Sequence, residues 1–258
     1  MASTYLDRIL EYHREMAAGD HRSIDQVIDK AATMEVTRGF RRALQNRNKL
    51  GLIAEIKRRS PSKGDLNTEL DPADLASSYE RGGAACLSVL TDAEFFGGSV
   101  DDLRLARSAC SLPVLRKDFT VSELDVLDTR LIGADCVLLI AAALDQYQLT
   151  AFHQLASEVG LDVLVEIHDE AELERALTAE ATLIGVNQRD LVTFEVDHER
   201  AARMAGLIPG ELVKVAESGV RDAADALSLR GSGYDAVLVG ETLVTSDDPV
   251  ATVTALIS

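Results

Sequence analysis

From about residue 50 onward the chain repeats one pattern: a short β-branched or leucine-rich run, a polar loop, then a segment of helical length. The apolar runs fall at 52–57, 85–90, 112–117, 135–140, 162–167, 182–187, 212–216 and 235–239, about 20–33 residues apart. Runs such as Cys136-Val137-Leu138-Leu139-Ile140 are apolar at every position, as strands of a parallel sheet covered by helices must be. Helix signals lie between them at Pro72-Ala73-Asp74-Leu75-Ala76, Asp145 to Val159, Glu170 to Thr178 and Arg221 to Leu229. Eight βα units in about 210 residues fit an α/β fold closed into a (β/α)8 TIM barrel better than a doubly wound sheet. The Rossmann alternative is weakened further because no Gly-x-Gly-x-x-Gly follows the first strand and no Walker-type loop occurs.

The first 49 residues differ from the rest. Tyr5, Ile9, Tyr12 and Met16 recur at close to four-residue spacing and predict an amphipathic helix. Ser23-Ile24-Asp25-Gln26 reads as a capping box opening a second helix, and Phe40-Arg41-Arg42-Ala43-Leu44 suggests a short third. With no Pro-, Gly- or Ser-rich linker, the expected organisation is one domain: a helical extension over 1–49 and a barrel over 50–258.

Composition narrows the function. A net charge of −17 argues against nucleic acid or an anionic membrane as partner. No apolar run reaches the length of a membrane span, and the N-terminus has no apolar signal core, so the expected location is the cytoplasm. Cys86, Cys110 and Cys136 cannot all pair and fit no zinc spacing; they read as free thiols in a reducing compartment. His13, His21, His153 and His198 are scattered, so neither a metal nor another cofactor is expected.

Charges on the predicted strands are the more telling signal. In Ile53-Ala54-Glu55-Ile56-Lys57, alternation places Glu55 and Lys57 on one face, about 7 Å apart. Opposite charges on a buried face are costly unless paired or used. Barrel enzymes keep their chemistry at the C-terminal ends of the strands. Those ends carry Glu55 and Lys57, Arg116 and Lys117, Glu166 and His168, Asn187 and Arg189, then Glu217 and Ser218. Any one could be a loop-facing charge; acids and ammoniums converging on one mouth are difficult to explain structurally. Lys214 has the opposite parity to Glu217 and should face the helices. His168 shares the face of Glu166, where capping and catalysis are equally open.

Glu217-Ser218-Gly219 and Val239-Gly240-Glu241-Thr242 occupy the loops after the seventh and eighth strands, where such barrels hold phosphate on backbone N–H groups and a helix N-terminus. Phe95, Phe96, Phe119, Leu138 and Leu191 lie at or beyond strand ends, where an apolar ring could bind. The residues therefore point to a phosphorylated, partly apolar small molecule and to acid–base work by lysine and glutamate.

The segments Ile53-Ala54-Glu55-Ile56-Lys57-Arg58-Arg59-Ser60-Pro61-Ser62, Leu87-Ser88-Val89-Leu90-Thr91-Asp92 with Phe95-Phe96-Gly97-Gly98-Ser99, Pro113-Val114-Leu115-Arg116-Lys117-Asp118-Phe119, Val165-Glu166-Ile167-His168, Gly185-Val186-Asn187-Gln188-Arg189-Asp190-Leu191 and Ala216-Glu217-Ser218-Gly219 resemble the indole-3-glycerol-phosphate synthase family. The match runs in order from about Phe40 to the C-terminus. The resemblance implies ring closure of carboxyphenylamino-deoxyribulose phosphate with loss of CO2 and water, in tryptophan biosynthesis, and a helical extension that caps the barrel mouth. It implies Lys117 as general acid, Glu166 as base or charge partner, and Lys57 as partner of the substrate's anions. Glu55 and Glu217 would orient lysines and hydroxyls, and Asn187 and Arg189 would hold the anthranilate end. Ser60, Ser218, Gly219, Gly240 and Glu241 would surround the phosphate, and Phe96, Phe119, Leu138 and Leu191 would sandwich the ring. Lys57, Arg58, Arg59, Lys63, Arg116, Lys117 and Arg189 would make a positive mouth.

Two positions depart from the family pattern: Gln188 in place of a second asparagine, and Glu241 where serine is frequent, which leaves backbone donors for the phosphate and a carboxylate turned away. The length leaves no room for a second, fused isomerase barrel, and a monomer or weak homodimer is expected. Two other readings stay open: a Schiff-base aldolase using Lys117 or Lys57, and a phosphosugar-binding barrel without catalysis.

Overall fold

A computed structural model describes residues 4–45, 48–190 and 192–258. Eight parallel strands close into a barrel: β1 Gly51–Ile56, β2 Cys86–Leu90, β3 Val114–Lys117, β4 Cys136–Ile140, β5 Asp162–Ile167, β6 Leu183–Asn187, β7 Val213–Glu217 and β8 Ala236–Val239. Each strand pairs with its sequence neighbours, and β8 closes on β1 with Gly51 opposite Ala236 and Ala54 opposite Val239. The strands fall on the apolar runs because both faces are covered: β1, β2, β4 and β6 are buried at every position. A short antiparallel pair, Arg59–Ser60 with Gly64–Asp65, folds the loop after β1 back on itself.

Helices α1 Tyr5–Ala18, α2 Ile24–Ala32 and α3 Phe40–Leu44 precede the barrel. Those around it are α4 Pro72–Gly82, α5 Val100–Ala109, α6 Glu123–Leu131, α7 Gln146–Glu158, α8 Glu170–Thr178, α9 Arg200–Ala205, α10 Ala223–Gly231, α11 Glu241–Val244 and α12 Pro249–Leu256. Most open on a capping aspartate or serine, such as Asp71, Ser99, Ser122, Asp145, Asp169 and Asp222, whose side chain accepts from the first-turn N–H groups.

The extension runs from one end of the barrel to the other. At the mouth, His13 Nε2 of α1 lies 2.8 Å from Asp92 Oδ2 after β2 and 3.9 Å from Asp118 Oδ1 after β3. Down the side, Val27 and Ala31 of α2 pack on Leu124 and Leu127 of α6. At the floor, Asp135 Oδ1 accepts the Arg38 N–H at 2.7 Å and Asp162 Oδ2 the Arg41 N–H at 2.9 Å, while the Arg38 guanidinium donates to the carbonyls of Cys110 and Leu112. Phe40 and Leu44 are fully buried there.

Three local expectations are corrected. α1 buries Ile9 and Leu10, whereas Tyr12 and Met16 are exposed, because the helix rests on the barrel along the line through Leu6, Ile9 and Leu10. Ser23 precedes α2 but makes no side-chain capping bond, so the capping box is not formed. The scattered histidines do include one clustered with acids: His13, Asp92 and Asp118 stand close enough together to hold a cation. The oxygens that face His13 already have partners, Asp92 Oδ2 in His13 itself and Asp118 Oδ1 in the Phe119 N–H, so the cluster ties α1 to the barrel. No helix of the described residues is long and apolar enough to cross a membrane.

Candidate active site

The C-terminal ends of the strands open into a cavity of about 550 Å³. Tyr5, Leu6 and Ile9 of α1 form its roof. On its floor Glu55, Glu166 and Glu217 are only 4%, 2% and 1% exposed, a degree of burial that carboxylates tolerate only with partners. Lys117 supplies two of them: its Nζ donates to Glu166 Oε2 at 2.7 Å and to Glu217 Oε2 at 2.9 Å. Lys57 Nζ lies 2.6 Å from Glu55 Oε1. Asn187 Nδ2 donates to Glu166 Oε1 at 3.0 Å, fixing the face of that carboxylate.

Two glycines make room for the acids. A Cβ at Gly185 of β6 would overlap the Glu217 carboxylate, and one at Gly240 would overlap that of Glu55 and come within 3.1 Å of Lys57 Nζ. Gly185→Ala is accordingly expected to swing Glu217 off Lys117 and to lower kcat by about 10²-fold, a cost typical of a misplaced reacting group. An unchanged kcat in this variant, with the fold intact by circular dichroism, would show that the Glu217 position does not matter.

Burial by itself would push the Lys117 ammonium down, but Glu166, Glu217 and Glu55 together hold it well above its ordinary value. The two acids on it are driven apart. Burial would raise Glu166, yet Lys117, His168 and Asn187 bring it down to about 2. Burial, with Glu166 and Glu55 nearby, outweighs Lys117 at Glu217 and lifts it to about 7. The shared ammonium thus favours the ionised form at Glu166, and Glu217 is the more readily protonated of the pair.

The cavity brings together Glu55, Lys57, Ser60, Phe96, Lys117, Phe119, Leu138, Glu166, Asn187, Arg189, Glu217, Ser218, Gly219, Gly240 and Glu241. Leu191 lies outside the described residues. Ser218 and Gly219 both adopt positive φ, 64° and 77°, and a Cβ on Gly219 would collide with Val196. The helix after Gly240 is only four residues long, so its dipole adds little and the backbone N–H groups carry the anion-binding potential. Glu241 is half-exposed, its carboxylate 3.5 Å from Lys63 Nζ.

The positive mouth is smaller than expected. Arg58 turns outward to Asp102 and to the carbonyls of Thr68 and Leu70, Arg59 binds the Ala93 and Glu94 carbonyls, and Arg116 binds Thr91, Asp118 and the Asp125 carbonyl. Strand alternation explains Arg58 and Arg116, which have the opposite parity to Lys57 and Lys117. Phe95 also leaves the expected ring site and packs edge-on against Tyr5 and Tyr12. Lys214 donates to the Ala205 carbonyl, facing the helices as its parity requires. Sequence reasoning missed His198 and Arg221, which line the cavity from loops without strand periodicity, and named none of Tyr5, Leu6 and Ile9 as lining it.

The family model described as indole-3-glycerol phosphate synthase matches residues 6–256. The chain belongs to the indole-3-glycerol phosphate synthase family. Relatives named indole-3-glycerol phosphate synthase from Polaromonas sp. strain JS666 and Polaromonas naphthalenivorans strain CJ2 are each 46% identical over 252 residues, covering 96% of this chain and 96% of the relative. Two solved structures of low sequence identity share the fold. A thiamine phosphate pyrophosphorylase from Pyrococcus furiosus superposes with a TM-score of 0.60 at 16% identity, over 80% of this chain and 93% of the other. A structure titled native KDPGal gives 0.58 at 13% identity, over 82% and 95%.

Proposed function

We propose that this member of the indole-3-glycerol phosphate synthase family closes the indole ring with the residues gathered in the cavity. The substrate is 1-(2-carboxyphenylamino)-1-deoxyribulose 5-phosphate, and the enzyme is a carboxy-lyase of tryptophan biosynthesis. The observation that carries the assignment of roles is Lys117, an ammonium gripped by Glu166 and Glu217 in the barrel lumen.

Lys117 donates a proton to the ribulose carbonyl oxygen as the aromatic carbon bonds to the carbonyl carbon. The same charge stabilises the oxyanion as it develops. The carbon–carboxylate bond then breaks, CO2 leaves, and its electron pair restores the ring. In the second step Lys57, which also holds the substrate's anions, donates the proton with which the new hydroxyl leaves as water, while Glu166 takes a proton from the adjacent carbon and that C–H electron pair forms the ring double bond. Glu55 and Glu217 orient the lysines and the hydroxyls; Glu217 Oε1, buried without a protein partner among the described residues, is free to meet one. Asn187 and Arg189 hold the anthranilate end. Ser60, Ser218 and the backbone of Gly219, Gly240 and Glu241 receive the phosphate, and Phe96, Phe119 and Leu138, with Leu191, enclose the ring. Within one domain, α1 of the 1–49 extension acts as the cap while the rest of the extension runs down to the floor; the protein works in the cytoplasm, and each cavity is complete within one chain, as a monomer or weak homodimer.

A Schiff-base aldolase needs a neutral lysine amine, whereas the acids around Lys117 favour its ammonium. The test is a fluorescence assay for indole product from the synthetic substrate. Turnover to indole-3-glycerol phosphate is expected. Folded protein that binds the substrate without turning it over would leave a binding barrel, and trapping of an adduct by borohydride would favour the aldolase.

A further inference from the structure

The mechanism leaves one largely buried titratable group unused beside its base. His168 follows β5 directly and shares the lumen-facing side with Glu166. Glu172, in the first turn of α8, holds it at two points: its Oε2 accepts the His168 backbone N–H at 2.7 Å and lies 3.0 Å from Nδ1. The other ring nitrogen is different. His168 Nε2 is buried, has no hydrogen-bond partner among the described residues, and lies 3.8 Å from Glu166 Oε1. That separation is too long for a hydrogen bond and short enough for a small side-chain movement to make one.

Glu166 depends on a partner it must share. Its Oε2 is held by Lys117, and its Oε1 by the neutral amide of Asn187. When Lys117 gives its proton to the ligand, Glu166 is left buried without an adjacent cation. A carboxylate in that position takes up a proton, which would end its usefulness as a base in the next step. We propose that His168 is the positioning residue that prevents this: with Glu172 steadying Nδ1–H, the imidazolium Nε2–H closes on Glu166 Oε1 as Lys117 turns to the ligand. The inference rests on the reading of Glu166 as the base.

The surrounding charges suit the role. Glu166 on β5 and Glu172 on α8 favour the imidazolium; Arg200 on α9 opposes it, as does burial. The net balance lies above the ordinary histidine value. A neutral ring with its proton on Nδ1 would turn a lone pair toward the carboxylate, so the contact requires the charged form. Because the pKa is raised, the contribution is complete at low pH and is lost as pH rises through the His168 pKa.

The experiment compares pH profiles of kcat and KM for the wild type, His168→Asn and Glu172→Gln, with Glu166→Gln as a control on the base reading. His168→Asn keeps a donor but not the charge. It is expected to lower kcat by about 10–100-fold, the scale of one hydrogen bond to a charged group, with KM little changed and the alkaline fall in kcat abolished. Glu172→Gln should move that fall to lower pH. A wild-type kcat and profile in His168→Asn, with Glu166→Gln inactive, would overturn this role alone. Full turnover by Glu166→Gln would overturn the base reading and this inference with it. Should His168→Asn fail to fold, Glu172→Gln decides, and an unmoved profile in that variant counts against the proposal.

Discussion

Lys117→Ala is expected to lower kcat by about 10²–10⁴, the range for loss of a general acid. The variant loses the proton donor and the charge that stabilises the developing alkoxide, while the cavity walls stay in place. Glu166 and Glu217 would face each other without the ammonium that bridges them at 2.7 and 2.9 Å, so one of them should take up a proton. Substrate affinity should fall less than turnover, because Lys57, Arg189 and the backbone of the phosphate loops remain. Steady-state kinetics on the synthetic substrate read both quantities. Near-normal formation of indole-3-glycerol phosphate would sink the assignment of Lys117 as acid.

The second large effect is on stability and arises at the opposite end of the barrel. Asp135 is fully buried. Its Oδ1 accepts the Arg38 N–H at 2.7 Å, and its Oδ2 accepts the Val114 N–H at 2.8 Å and the Arg107 guanidinium. It therefore joins the extension, β3 and the end of α5 at one point. Asp135→Ala would leave two backbone donors and a half-buried cation without their acceptor, at an expected cost of about 3–5 kcal/mol. For a chain of this length that is a fall in Tm of roughly 6–20 °C. Activity per folded molecule should change little, because the site is at the other end. A Tm within about 2 °C of the wild type would show that the floor relaxes around the loss.

How much was legible in the sequence followed from which forces leave a linear trace. The strands were legible because burial on both faces demands apolar runs such as Cys136–Ile140, and their spacing fixed the number of βα units. Glu55, Lys57, Lys117, Glu166 and Glu217 could be found because a charge within or just after such a run stands out. Long-range pairing leaves no such trace. His13 and Asp92 are 79 positions apart, and nothing local to either predicts the other. The arginines misled for a related reason: a cation at a strand end can point inward or outward, and Arg58 turned out to Asp102 while Arg116 was taken up by Asp118 at the cavity wall. Gly185 illustrates a third case, in which a residue matters through the space its missing side chain leaves for Glu217.

The ring of three acids and two ammoniums also bears on selectivity among ligands. Lysine tails are ordinarily mobile, and holding one still costs up to about 2 kcal/mol of rotamer freedom. Here Glu55, Glu166 and Glu217 keep both tails extended into the lumen before any ligand arrives. An incoming anion meets cations already in place, but it must also draw them from their acids. Free phosphate could do the first and would leave buried carboxylates stranded. A sugar phosphate brings hydroxyls that the displaced acids can accept from, so on the proposed reading the site is expected to discriminate against simple anions by what it would be left holding.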